Sequence, residues 1–166
     1  MKLVIRLLAF ALLVAAGWWA WTFFFPSPGR VILRQLDRVA HLASFTADEG
    51  NISRVVNVEK LGNCFADNVS VSVKISGVES FTFEHRSELM QAALAARSSG
   101  KSVQARFDNV KLNLAADAQS AEADLAAVAT VSGEKEPVVQ RLKFSFKKIG
   151  GKWVIIRVEG LRMPGE

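Results

Sequence analysis

Val103-Gln104-Ala105-Arg106-Phe107-Asp108-Asn109-Val110-Lys111-Leu112-Asn113-Leu114 is the stretch on which the fold turns. Its apolar residues stand at odd positions up to Phe107 and at even positions from Val110 onward. Successive side chains of a strand point to opposite faces, so this change of parity would turn half of the apolar set outward. One extra residue at Asp108-Asn109 restores a single apolar face. The pattern therefore predicts one strand with a β-bulge there, and bulges bend sheets.

The segments that follow complete the sheet. Ala116 to Ser120 reads as a turn, and Ala121 to Val131 as a strand with Ala121, Ala123, Leu125, Ala127, Ala129 and Val131 on one face. Gly133 to Pro137 turns again. Leu142, Phe144 and Phe146 then alternate with Arg141, Lys143, Ser145 and Lys147. Ile149-Gly150-Gly151-Lys152 makes a turn before a last strand from Trp153 to Glu159. The alanines on the inner face either admit close packing or leave a cavity for an apolar ligand; dense interiors favour packing.

Upstream, the periodicity changes from two to three and four. Val31 to Phe45 reads as an amphipathic helix with Val31, Leu33, Leu36, Val39, Ala40 and Ala43 inward, and with Arg34, Asp37, Arg38 and His41 outward. A second helix is expected from Arg54 to Phe65, capped by Ser53, with a stripe of Val55, Val58, Leu61, Cys64 and Phe65. Val69 to Ile75 alternates as a strand, and Gly77 turns the chain into a short strand from Val78 to Glu84. Ser87 is expected to cap a third helix running to Arg97, with Leu89, Ala92, Ala93 and Ala96 toward the core. The order α-α-β-β-α-β-β-β-β, with helices on one face of a curved antiparallel sheet, predicts an α+β cone.

Ahead of this domain lies Leu7 to Phe25, a run without charge that would span roughly 28 Å as a helix, close to the hydrocarbon thickness of a bilayer. Trp18, Trp19 and Trp21 near its far end suit the headgroup interface. The organisation expected is a transmembrane anchor over 1–25, a short linker over 26–28 and one domain over 29–166. A cleaved signal peptide is the competing reading, since Val14-Ala15-Ala16-Gly17 offers small residues; the continuing apolar run favours an uncleaved anchor. Lys2 and Arg6 favour an inside N-terminus, against the pull of Arg30, Arg34 and Arg38. That puts the domain on the outer side of a plasma or inner membrane, periplasmic in a bacterium.

Composition removes several functions. The formal charge of +5 is spread along the chain without a Lys/Arg block, so no nucleic-acid role is expected. Cys64 is the one cysteine; it excludes an internal disulfide and reads as a small buried hydrophobe. His41 and His85 are isolated, and neither paired cysteines nor clustered carboxylates accompany them, so no metal or cofactor is expected. No phosphate-loop, dinucleotide or nucleophile-elbow motif occurs. Asn51-Ile52-Ser53 and Asn68-Val69-Ser70 match a glycosylation pattern that matters only in a eukaryotic secretory setting.

Three stretches carry a family resemblance. Leu61-Gly62-Asn63-Cys64-Phe65-Ala66-Asp67-Asn68-Val69 resembles the entry to the first strand of the nuclear-transport-factor-two-like, or SnoaL-like, cystatin-like superfamily. The bent strand Val103 to Leu114 and the closing Gly150-Gly151-Lys152-Trp153-Val154-Ile155 are similar to later parts of that fold. The resemblance covers nearly all of the chain after residue 29. It implies a cone that hosts isomerases, dehydratases and cyclases as well as transport and assembly subunits. Fold alone does not choose among these.

The residues then narrow the choice. Family enzymes that use a Tyr in the cone have no counterpart here, because the chain contains no Tyr. His85 is the candidate general base, with Asp108 or Asp124 to orient it. Glu122, Asp124, Arg141 and Lys143 share the solvent parity of adjacent strands and are expected to pair across the outer face. Arg141, Lys143 and Lys147, with Lys148, Lys152, Arg157 and Arg162, make the last two strands basic and offer a binding face for an acidic partner or anionic headgroups. The favoured function is a membrane-anchored, non-catalytic binding or assembly module of the cell envelope, self-associating or bound to a protein partner. The alternative is a small-molecule enzyme or carrier using the cone.

Overall fold

The structure is a computed structural model that describes residue 14, residues 27–74 and residues 80–161. Three helices, α1 (Pro28–Ala43), α2 (Asn51–Gly62) and α3 (Arg86–Arg97), accompany six strands. The strands are β1 (Phe65–Val73), β2 (Phe81–Phe83), β3 (Val103–Leu114), β4 (Ser120–Val131), β5 (Val138–Ile149) and β6 (Lys152–Gly160). They form a single sheet in the order β2-β1-β6-β5-β4-β3. The α+β architecture and element order agree with the sequence reading.

The bulge is where the apolar parity put it. Asp108 faces Ala126 and Lys111 faces Asp124, so Asn109 and Val110 together oppose Leu125. Asn109 takes the extra residue with φ of 55°, a left-handed conformation that Asn tolerates better than most side chains. Phe107, Val110 and Leu112 consequently all pack against one core.

The sheet differs from expectation in one pairing. β1 runs parallel to β6, with Phe65 beside Ile155 and Ser72 beside Glu159; the other pairs are antiparallel. The two strands lie far apart in the chain, so no turn signal could announce the match.

Helix boundaries also shift. α1 begins at Pro28, inside the expected linker, because proline is suited to the first helical turn. Its buried stripe is Ile32, Leu36, Val39, Ala40 and Leu42, while Leu33 is exposed. α2 starts from Gly50 rather than Ser53: the Gly50 carbonyl accepts the Arg54 N–H at 3.0 Å. It ends at Gly62, so Cys64 and Phe65 fall beyond it and Phe65 opens β1. α3 starts one residue before Ser87, with His85 at its N-cap, and the Glu88 carboxylate accepts the Glu84 N–H at 2.9 Å. This reach back to the residues before the helix does part of the work of a cap.

The core lies between α1 and the inner face of the sheet. Ile32, Leu36 and Val39 meet Phe65 and Val69 of β1, Phe144 and Phe146 of β5, and Trp153 and Ile155 of β6. Burying each such side chain contributes about 1.5–3 kcal/mol. Among the described residues no helix is long and apolar enough to cross a membrane. The apolar run 7–25, apart from Val14, lies outside those residues, as do Ile75, Gly77, Val78 and Arg162.

Candidate functional site

The outer face of the sheet is built by strand register. Across β4 and β5, Glu122 stands opposite Ser145, Asp124 opposite Lys143, Ala126 opposite Arg141 and Ser120 opposite Lys147. The expected cross-strand pairing is realised diagonally: Lys143 Nζ reaches Glu122 Oε2 at 3.4 Å rather than the directly facing Asp124. Asp124 sits between Lys111 and Lys143 in register, and its Oδ1 is buried without a hydrogen-bond partner. Arg106 with Asp108 (3.0 Å) and Arg157 with Glu159 (3.4 Å) pair along their own strands. Exposed pairs of this kind are worth under about 1 kcal/mol each. Arg141 and Lys147 are exposed and enter no ion pair among the described residues. The three basic residues singled out from the sequence, Arg141, Lys143 and Lys147, therefore share one surface.

The structure does not bring the catalytic candidates together. His85 is exposed at the start of α3, just after β2 at one edge of the sheet. Asp108 lies on β3 at the opposite edge, held by Arg106. Asp124 shares the face of exposed Glu122, away from buried Ala123 and Leu125. His41 is exposed too; it lines a groove of about 460 Å³ between α1 and β3 with Asp37 and Arg106.

Inside the cone, aromatic packing takes the space. The Phe107 and Phe144 rings lie 5.5 Å apart and Phe144 and Phe146 6.3 Å apart. Ala121 and Ala123 are buried in the core they form, and Ala127 packs at its border. Small residues on β4 thus make room for these rings. Cys64 is buried as expected; burial pushes its thiol up, while the Arg38 charge draws it down less strongly.

One polar cluster escaped sequence reasoning. Among the described residues Arg97 is the buried charged side chain, at 1% exposure, whereas Ala96, expected inward, is exposed. Its guanidinium bonds the Glu49 carboxylate at 2.6 Å and the carbonyls of Leu42 and Ser44, and lies 5.1 Å from the centre of the Phe45 ring. Asn57 donates to the other Glu49 oxygen at 2.7 Å. Burial pushes the Glu49 carboxyl up, but the Asn57 and Arg97 hydrogen bonds and the charges of Arg97 and Arg54 outweigh it and hold the group below its usual value. The cluster ties the end of α3 to the loop between α1 and α2. No groups of metal-binding side chains occur among the described residues.

Comparison with known proteins agrees with this architecture. No family model matches the chain, and no curated protein matches it. Solved structures do. An NTF2-like protein of unknown function from Pseudomonas putida aligns over 81% of this chain and 87% of its own, at 12% identity and a TM-score of 0.62. A protein of unknown function with a cystatin-like fold from Nostoc punctiforme aligns over 82% and 92%, at 16% identity and a TM-score of 0.59. An NTF2-like protein with a cystatin-like fold from Novosphingobium aromaticivorans aligns over 83% and 83%, at 16% identity and a TM-score of 0.57. Bent sheet, inward helices and these likenesses converge, and the chain has the NTF2-like, cystatin-like α+β fold.

Proposed function

We propose that the chain is a membrane-anchored, non-catalytic binding or assembly module of the cell envelope. Its outer sheet face would receive an acidic protein partner on the periplasmic or outer side of the membrane. One observation carries the reading: the polarity of the two sheet faces. The inner face is filled by Phe107, Phe144, Phe146 and Trp153, whereas the outer face displays Arg141 and Lys147 without ion pairs among the described residues, with Lys143 held by Glu122 between them. Positive surface potential speeds encounter with acidic partners and sets their orientation. The tether rests on the charge-free run from Leu7 to Phe25, its aromatic end and the preceding Lys2 and Arg6.

The test uses the full chain expressed in cells. Carbonate-washed membranes should retain it, and deletion of residues 7–25 should release it. Purification in mild detergent should give a stoichiometric protein partner that Arg141→Glu with Lys147→Glu displaces. A protein freed by carbonate would sink the anchor. A partner-free protein carrying a bound small molecule would favour the enzyme or carrier alternative, with the groove beside His41 as the first place to look.

A further inference from the structure

A second concave surface lies on the other side of α1. It is a crevice of about 700 Å³ between α1, the junction of α2 and β1, and the turn joining β5 to β6. Arg34, Arg38 and Lys152 line it, with Trp153 and Val31 as apolar wall and Gln35 between them. No acidic side chain lines it; Asp37, the acid nearest on α1, lines the opposite groove. None of the ion pairs among the described residues uses Arg34, Arg38 or Lys152.

The three cations are held from two rigid elements. Arg34 and Arg38 are one helical turn apart, so both side chains lie on one face of α1. Lys152 follows a two-residue turn in which Gly150 and Gly151 have φ of 57° and 80°, the tight hairpin geometry that fixes both strands. The Gln35 amide donates to the Cys64 carbonyl at 3.1 Å, which pins α1 against the start of β1. Arg34, Arg38 and Lys152 are exposed residues lining one crevice, and like charges on a shared concave surface attract an anion. The crevice has the size of an organic ligand site rather than of a simple ion, and its Trp153 and Val31 wall suits an apolar portion.

We infer that this crevice binds a net-anionic, phosphate-bearing amphiphile, its phosphate held by Arg34, Arg38 and Lys152 and its apolar part against Trp153 and Val31. Planar guanidinium groups match phosphate oxygens two at a time, and the lysine adds a third charge. Two sources carry that chemistry: an anionic phospholipid headgroup or a free organic phosphate. Arg34 is six residues into α1, about 9 Å along the helix axis, and α1 begins three residues after Phe25 in the sequence. The lipid source therefore rests on the anchor proposed above; the free-phosphate source does not.

The full chain in neutral maltoside micelles provides the test, read as the thermal unfolding midpoint. Phosphatidylglycerol added to the micelles should raise the midpoint by roughly 5 °C over phosphatidylcholine at saturation. Arg34→Gln with Arg38→Gln and Lys152→Gln should lose that rise, and Arg141→Gln with Lys147→Gln should keep it. Lys152→Gln alone, on an exposed turn, should reduce the rise if the triple variant folds poorly. An equal rise with water-soluble hexyl phosphate assigns the site to a free organic phosphate. If carbonate frees the protein from membranes and hexyl phosphate still raises the midpoint, the anchor fails and the site stands. No rise with either probe, or equal loss in both sets of variants, overturns the inference.

Discussion

Arg97 and Glu49 meet at 2.6 Å with side chains only 1% and 11% exposed, which makes them a buried ion pair joining α3 to the loop after α1. Removing one partner of such a pair leaves a buried charge without compensation. Arg97→Ala is expected to cost about 3–5 kcal/mol, read by thermal or denaturant unfolding. Replacing both, as Arg97→Met with Glu49→Leu, should recover part of the loss. Recovery stays incomplete because the Leu42 and Ser44 carbonyls lose their donor.

Acid should loosen the same joint. The folded Glu49 carboxyl lies below its ordinary value of 4.5, so the stability it contributes is present above that value and fades as pH falls through the folded one. Asp117 behaves alike, held down by the N–H groups of Gln119 and Ser120. Unfolding midpoints followed from pH 7 down to about 3 should fall below pH 4.5, and Glu49→Gln should flatten part of that fall while lowering the midpoint at neutral pH. An unchanged acid profile in Glu49→Gln would remove the pair from the account.

The bulge at Asn109 makes a local demand. At φ of 55° a β-branched residue is strained, so Asn109→Val should cost about 1–3 kcal/mol and Asn109→Gly less. Deleting Asn109 removes the extra residue, so Val110, Leu112 and Leu114 fall into the parity of Phe107 as a regular strand; the apolar face survives and the bend is lost. Circular dichroism and unfolding midpoints distinguish the three variants.

Gly62 closes α2 against α3. A Cβ there would stand 2.6 Å from Met90 Sδ and 2.9 Å from its Cγ. Gly62→Val should therefore cost about 1–3 kcal/mol through overpacking. Met90→Ala makes room, and a double-mutant cycle should show coupling above about 0.5 kcal/mol. Additive effects would mean that the helices shift apart instead.

Much of this fold was legible because local signals and burial agree. The parity change around Asp108 and Asn109 announced the bulge, and alternation in Leu142, Phe144 and Phe146 announced the face that carries the core. Helix ends were less legible: Ser53 and Ser87 looked like caps, yet Gly50 and His85 hold those positions, since backbone geometry rather than the side chain decided both starts. The pairing of β1 with β6 and of Glu49 with Arg97 left no local trace. Each joins residues distant in sequence, and Arg97 at the end of an Ala-rich helix reads as a solvated terminus. The basic outer face was visible from strand parity. The crevice of Arg34, Arg38 and Lys152 was not, because it forms only when the β5–β6 turn folds back beside α1.

The parallel seam between β1 and β6 has a consequence for synthesis. Phe65 and Ile155 are about ninety positions apart, so the first long strand to leave the ribosome has no partner on that flank until the last one follows. Through that interval an edge of β1 stands open, a template for mispairing with other nascent chains. Contacts of such separation fold slowly, because a large loop must close before they form. Losing the final strand would therefore do more than trim an end. It would reopen the sheet between β1 and β5, and leave Val69 and Phe146 without the residues that cover them.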